Sequence, residues 1–225
     1  MKKELLFTFS ALIATTSCNI KKTDSEQIAG KKPMNIIYIM SDDHSYQTIS
    51  AYDKRFIQTP NIDRLANEGV RFTNSFVANS ISGPSRACIL TGKHSHANGF
   101  TDNSSTFDGS QQTYPKLLQK AGYETAIIGK WHLTSAPTGF DYSEILIGQG
   151  IYYNAPFIKN GKQVPSKGYV TNVITEKAID WMENIHDKNK PFCLLLHHKA
   201  PHRTWSYQPI FMTTTTVVKP LMSKR

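Results

Sequence analysis

An α/β sandwich built on a mostly parallel sheet is the fold class this 225-residue sequence predicts. Three short apolar runs carry that expectation: Asn35–Met40, Tyr123–Ile128 and Phe192–Leu196. Each leads directly into a polar cluster, and between them lie stretches with helical spacing. Strands that alternate with helices pack as layers on the two faces of one sheet.

The elements follow in chain order. Asn35-Ile-Ile-Tyr-Ile-Met40 is continuous and apolar, which predicts a strand buried on both faces. Thr59 to Gly69 carries a cap, a first-turn proline (Pro60), an apolar stripe and a terminal glycine, the signature of a helix. Val70 to Phe76 alternates and reads as a strand. Pro84 places a helix start just after Ser82, with Ala87, Ile89 and Leu90 on it and Gly92 as its stop. Tyr114 to Ala121 is a short helix closed by Gly122, and Tyr123 to Ile128 is the second strand. Phe157 to Val164 reads as a hairpin around Asn160-Gly161. From Asn172 to Asp187, Ile174, Ala178, Trp181, Met182 and Ile185 recur at helical spacing. Phe192 to Leu196 is the third strand. No internal repeat is visible.

The polar clusters sit where chemistry gathers in such sheets, at the carboxyl ends of the strands. Asp42 and Asp43 follow the first strand. Adjacent carboxylates repel unless a cation neutralises them, so a hard divalent ion held through oxygen is the natural occupant. The plainer alternative is a turn with two solvated aspartates. Ser82 at a helix N-terminus lies among unpaired N–H groups and the positive dipole end, which suits an anionic substrate, and Arg86 adds a fixed charge. The plainer alternative there is a serine cap beside a surface arginine. Lys130 and His132 follow the second strand.

The run Ser82-Gly83-Pro84-Ser85-Arg86-Ala87-Cys88-Ile89-Leu90-Thr91-Gly92 resembles the signature of the sulfatase family. The resemblance implies that Ser82 is oxidised after synthesis to formylglycine (3-oxoalanine) by a maturation enzyme. The aldehyde hydrates to a diol, one hydroxyl of which attacks the sulfur of a sulfate ester. It further implies calcium as cofactor, with Asp42 and Asp43 as its first two ligands and residue 82 as a further one. Gly129-Lys130-Trp131-His132 resembles the family segment whose Lys and His contact the sulfate and the formylglycine hydroxyls. His198-Lys199-Ala200-Pro201-His202 resembles the Lys-x-Pro-His segment, with His202 placed to protonate the leaving alcohol and Lys199 supporting it at the substrate. His94 and His96 are candidates for the pocket lining, His94 as a substrate contact, whereas His197 and His198 are expected to pack or to face solvent. The implied fold is the alkaline phosphatase-like sandwich, in its N-terminal part. Asp42 to Gln47 and His198 to Arg203 most resemble bacterial enzymes of the N-acetylglucosamine-6-sulfatase kind, so the implied substrate is a sulfated carbohydrate. A serine rather than a cysteine at the motif start resembles the anaerobic bacterial form.

Met1-Lys2-Lys3, an apolar stretch from Leu5 to Ala14, and Thr15-Thr16-Ser17-Cys18 read as an export signal ending at a lipoprotein-like cleavage site. The apolar stretch is too short to span a bilayer stably. Residues 1–18 are therefore expected to be removed up to a lipidated Cys18. That residue would anchor the chain to a bacterial outer membrane or leave it periplasmic, and 19–33 would form a polar tether. Cys88 and Cys193 read as small core residues, not a disulfide scaffold. The 26 Lys and Arg outnumber the 17 Asp and Glu, giving +9, but they are scattered rather than striped. That argues against nucleic acid and for a polyanionic glycan steered toward the site.

The N-terminal portion of a sulfatase domain is expected over 34–210, with an anomalous tail over 211–225. Thr213 to Pro220 resembles nothing the family carries there. Related sulfatases are considerably longer, and their later half supplies a further metal pair, another lysine and the remaining strands. This reading predicts a half-sheet with an open strand edge, an aggregation hazard. Two other functions fit fewer of these features: a phosphoester or phosphonate hydrolase of the same superfold using unmodified serine, and a non-catalytic glycan-binding lipoprotein or inert fragment.

Overall fold

The computed structural model describes residues 33–208. The signal-like segment, Cys18, the tether as far as residue 32 and the tail lie outside the described residues.

Among the described residues, six strands form one mixed, mostly parallel sheet: β1 (Ile36–Met40), β2 (Glu124–Lys130), β3 (Tyr142–Leu146), β4 (Phe157–Lys159), β5 (Lys162–Val164) and β6 (Phe192–His197), in the order β1-β6-β2-β3-β4-β5. The first four in that order run parallel, and β3, β4 and β5 pair antiparallel. Helices α1 (Pro60–Glu68), α2 (Ser82–Thr91), α3 (Ser95–Asn98), α4 (Tyr114–Lys120) and α5 (Val170–Asp180) fill the connections.

Side-chain alternation along the central strands divides the core in two. Ala126, Ile128, Leu194 and Leu196 point to one face and pack with Val173, Ile174, Ala178 and Trp181 of α5 and its extension. Ile127, Cys193 and Leu195 point to the other and pack with Ala87 and Leu90 of α2, Phe100 and Trp131. Both layers of the expected sandwich are present, and Cys88 and Cys193 are buried and free.

The hairpin forms as expected, with Asn160 and Gly161 both at positive φ (46° and 82°). The α2 helix begins at Ser82 itself and stops at Gly92, whose φ of 66° is the left-handed conformation that favours glycine. The segment expected to be helical over 172–187 starts earlier, at Val170, and ends in a π turn over Trp181–Ile185. Strand β3 and helix α3 were not expected.

Two sequence expectations are corrected. β1 is not buried on both faces; it is the sheet's edge, with Ile36, Ile37 and Ile39 exposed. An apolar run sets the preference for strand, but burial requires a neighbour, and among the described residues β1 has one only on its β6 side. Val70 to Phe76 forms no strand: Val70, Phe72 and Phe76 are exposed in irregular chain. An alternating pattern needs a partner ladder, and this one is tied instead by the Tyr52 hydroxyl donating to the Phe72 carbonyl at 2.9 Å. The apolar stripe of α1 is likewise uncovered, with Ile62 and Leu65 exposed. The expected open edge is thus present among the described residues.

Candidate active site

Register brings the strand ends together. Met40 pairs with His197, and His197 also pairs with Gly129, so β1, β6 and β2 finish side by side. The ladder continues past the strands: the His198 amide donates to the Met40 carbonyl (2.8 Å) and the Asp42 amide to the Ala200 carbonyl (3.0 Å). Asp42 is thereby held beside the Lys199–His202 turn, although about 160 residues of chain separate them.

Asp42 is the hub. Lys130, fully buried at the end of β2, donates from Nζ to Asp42 Oδ2 and to Gln149 Oε1, the latter at 2.5 Å. Arg86, 3% exposed on α2, donates from Nη2 to the same Asp42 oxygen at 3.3 Å. Its Nη1 donates to the Lys130 carbonyl at 3.0 Å and lies 3.0 Å from His197 Nδ1. Burial pushes the Asp42 pKa up, but the Lys130 hydrogen bond and the charges of Lys130, Arg86 and His202 outweigh it, and the net shift is down. Burial lowers the Lys130 and Arg86 values, against the pull of Asp42. One buried carboxylate therefore gathers two buried cations.

Ser82 opens α2 on the rim of this cluster, its Oγ 3.3 Å from His132 Nδ1. That approach depends on Gly83. A Cβ there would come within 2.8 Å of Phe100 and 3.0 Å of the His132 carbonyl, and the Gly83 amide donates to Asn103 Oδ1 at 3.0 Å. Asp43 and His132 both adopt positive φ (51° and 56°), a conformation non-glycine residues rarely take and one that concentrates at functional sites.

Asp42, Asp43, Ser82 and Arg86 line one cavity of about 590 Å³ with Asn79 and Ser80. Asp43 is the exposed carboxylate of the pair, and His202 Nε2 stands 3.7 Å from its Oδ2. Lys199 is buried behind them with its Nζ 4.9 Å from the centre of the Tyr152 ring, and the Tyr152 hydroxyl donates to the His202 carbonyl. Burial lowers the Lys199 pKa, opposed by Asp42 and Asp43.

The structure thus gathers Asp42, Asp43, Ser82, Arg86, Lys130, His132, Lys199 and His202 at one end of the sheet. His94 does not join them. It is exposed, stacked on His96 at 5.8 Å, and lines an adjoining cavity of about 440 Å³ along α2. His198 is half-buried. His197 packs, as expected, but against Arg86 at the heart of the cluster.

Four contributors went unnoticed in the sequence: Gln149, Asn103, Tyr152 and the Arg86-facing role of His197. Only Gln149 carried a signal, since it stands between Gly148 and Gly150, both at positive φ. Glycines flanking a polar residue after a strand mark a tight turn.

Two carboxylates and residue 82 on one cavity wall are hard oxygen donors suited to calcium, but fewer than the six to eight oxygens that ion takes. Among the described residues no group of three or more His, Cys, Asp or Glu side chains converges as a complete metal site. Asp42 and Asp43 therefore fit as part of a coordination shell.

His132 supplies a pH prediction. Burial, then the charges of Lys130 and Arg86, hold its pKa down to about 4. An unfolded histidine titrates near ~6.5, so between the two values the unfolded chain binds more protons and stability rises with pH. The stabilising effect is complete above about 6.5 and is lost as pH falls toward 4. His197, also held well below its ordinary value by burial, acts in the same direction. Thermal melts are expected to show a midpoint that drops over this interval, and His132→Asn, which suits the positive φ, is expected to flatten the dependence. A midpoint independent of pH from 6.5 to 4 contradicts the assignment.

Comparison with known proteins agrees with this geometry. Residues 34–224 match the family model described as sulfatase. The N-acetylglucosamine-6-O-sulfatase of Bacteroides thetaiotaomicron is 56% identical over 208 residues, 91% of this chain and 36% of that protein. The N-acetylgalactosamine-6-O-sulfatase of the same organism is 32% identical over 199 residues, 82% of this chain and 36% of that one. A structure solved in complex with its substrate D-glucosamine-2-N,6-O-disulfate is 59% identical, with a TM-score of 0.79 over 81% of this chain and 38% of that chain. The chain spans little more than a third of the length of these relatives. With a family model matched across most of its length, on an α/β sandwich of the alkaline phosphatase-like kind, the chain belongs to the sulfatase family.

Proposed function

We propose that this chain carries the sulfate-handling part of a sulfatase acting on a sulfated glycan, with a 6-O-sulfated glucosamine or N-acetylglucosamine residue as the substrate class. The name of one relative and the bound substrate of another support that class. The observation carrying the reading is the convergence of Ser82, His132, Lys130, Arg86 and Asp42 at one end of the sheet, with Asp42, Ser82 and Arg86 on one cavity wall and His202 beside Asp43.

Formylglycine at position 82, with calcium held in part by Asp42 and Asp43, supplies the nucleophilic oxygen when present. The chain's own residues do the rest. The N-terminus of α2 and the Lys130 ammonium make the floor positive, where charge develops on the sulfate oxygens. Arg86 holds Asp42 in place from beneath. His132, neutral above about pH 4, is able to accept a proton at the Nδ1 that faces residue 82. His202, at the open side near Asp43, is placed to give a proton to the departing sugar oxygen, and Tyr152 braces its backbone. Lys199, buried behind them, adds its positive charge in support of the substrate, and His94, beyond α2 at the cap of α3, lines the adjoining cavity instead. Export and lipid anchoring through Cys18 belong to the same proposal, carried by the sequence of residues 1–18 alone.

Sulfate release from N-acetylglucosamine-6-sulfate with calcium present is expected to fall to background in Ser82→Ala. Mass spectrometry of the peptide containing residue 82 is expected to show an aldehyde when the chain is made alongside a maturation enzyme. Equal rates in wild type and variant would end the reading. Intact serine with phosphoester cleavage would turn it to the phosphohydrolase alternative.

A further inference from the structure

Among the described residues lies a cavity larger than the one that holds Ser82. It has a volume of about 810 Å³, within the range of small-molecule sites, and runs along β3 beneath the loop that follows β2. Its walls meet the reaction site at His132, which lines this cavity and also lies 3.3 Å from Ser82 Oγ.

Its chemistry is distinct from that of the Ser82 cavity. The floor is apolar and aromatic: Trp131 and Phe140 pack edge to face at 5.9 Å, with Ile145 and Ile158 beside them. The neutral polar groups are the hydroxyls of Thr134, Ser135 and Ser143 and the amide of Asn160, with the His132 ring at the edge shared with the reaction site. The Ser135 hydroxyl is buried and has no hydrogen-bond partner. A buried polar atom without a partner costs free energy, so a ligand group that bonds to it gains affinity. In a chain of net charge +9, no lysine or arginine lines this cavity. Its one carboxylate, Asp141, accepts from the Thr125 amide (2.8 Å), the Thr125 hydroxyl (3.0 Å) and Gln119 (2.9 Å). The bonds from Thr125 and Gln119 outweigh burial and keep it ionised. A second sulfate or a uronic acid placed here would meet a carboxylate and no lysine or arginine among the described lining residues.

We propose that this cavity binds an uncharged sugar ring, the neighbour of the sulfated residue in a glycan chain. Aromatic and aliphatic surface suits the C–H face of a pyranose, while scattered neutral hydrogen-bonding groups suit its hydroxyls. The inference rests on the sulfatase reading for its biological sense, but the site itself is testable without it.

The test uses the full chain and two substitutions: Ala136→Trp, which adds bulk at an exposed position of the cavity wall, and Ser135→Ala. Unsulfated N,N′-diacetylchitobiose, followed by saturation-transfer NMR, is expected to bind wild type and to lose its signal in Ala136→Trp. Ser135→Ala is expected to weaken it several-fold. No binding to wild type, or equal binding to Ala136→Trp, overturns the proposal whatever happens at Ser82. A second arm compares N-acetylglucosamine-6-sulfate with a disaccharide carrying the same sulfate and a neutral second ring. The disaccharide is expected to bind about tenfold more tightly to wild type and equally to Ala136→Trp, with the monosaccharide unaffected by the substitution. A second sulfate on the neighbouring ring is expected to erase the gain; if it strengthens binding, the charge argument is wrong. Loss of monosaccharide binding, with chitobiose still bound, counts against the Ser82 site and leaves the cavity standing.

Discussion

Gly129→Ala is expected to cost more than ~4 kcal/mol of stability, a large share of the roughly 5–15 kcal/mol that keeps a domain folded. Gly129 lies within β2 at a φ of 104°, and a Cβ built on it falls 1.9 Å from the His197 carbonyl oxygen. The obstruction is backbone of the adjacent strand, so no rotamer change relieves it. The two residues are register partners, and relief would require β2 and β6 to part at the point where Lys130 and His197 enter the site. Gly122→Ala is the matched control. It also has a positive φ (87°) but nothing within 4 Å of the added carbon, so its cost is expected to be the backbone penalty alone, about 1–2 kcal/mol. Urea denaturation followed by far-UV circular dichroism measures both. If Gly129→Ala loses no more than Gly122→Ala, the close packing of the two strand ends is wrong.

Arg86→Met is expected to destabilise by about 3–5 kcal/mol, because it removes one member of a buried ionic cluster and strands the others. The guanidinium reaches three elements at once: Asp42 after β1, the Lys130 carbonyl on β2, and His197 on β6. Without it, Asp42 keeps only Lys130 as a buried charge partner. Arg86→Lys is expected to recover less than half of the loss, since an ammonium has no planar fork to span these acceptors. Equilibrium denaturation of both variants checks the prediction. A loss within 1 kcal/mol for Arg86→Met would mean that the cluster is far wetter than its burial implies.

How much of this was legible beforehand follows from the range over which each interaction acts. The β2 and β6 strands, the hairpin at Asn160-Gly161 and the stop at Gly92 were all readable. Each is set by residues within a few positions of one another, through turn geometry and local apolar pattern. Strand β3 was missed because Tyr142-Ser143-Glu144-Ile145-Leu146 lacks a clear alternation: Glu144 points inward and is paired with Lys177 on α5. β1 and Val70 to Phe76 were over-read for the opposite reason. Their patterns state a preference for burial that only a neighbouring element can satisfy.

The site divides in the same way. Residue types, their order and their attachment to strand ends or a helix start were written in the chain, because such positions recur wherever a parallel sheet binds anions. Which of those groups touch was not. That Asp42 holds both Lys130 and Arg86, that His197 backs the arginine and that Gln149 accepts a hydrogen bond from Lys130 all depend on register between distant strands. Local propensities act through a few bonds and survive any packing, whereas contacts across 44 to 111 residues exist only once the sheet has set which ends lie side by side.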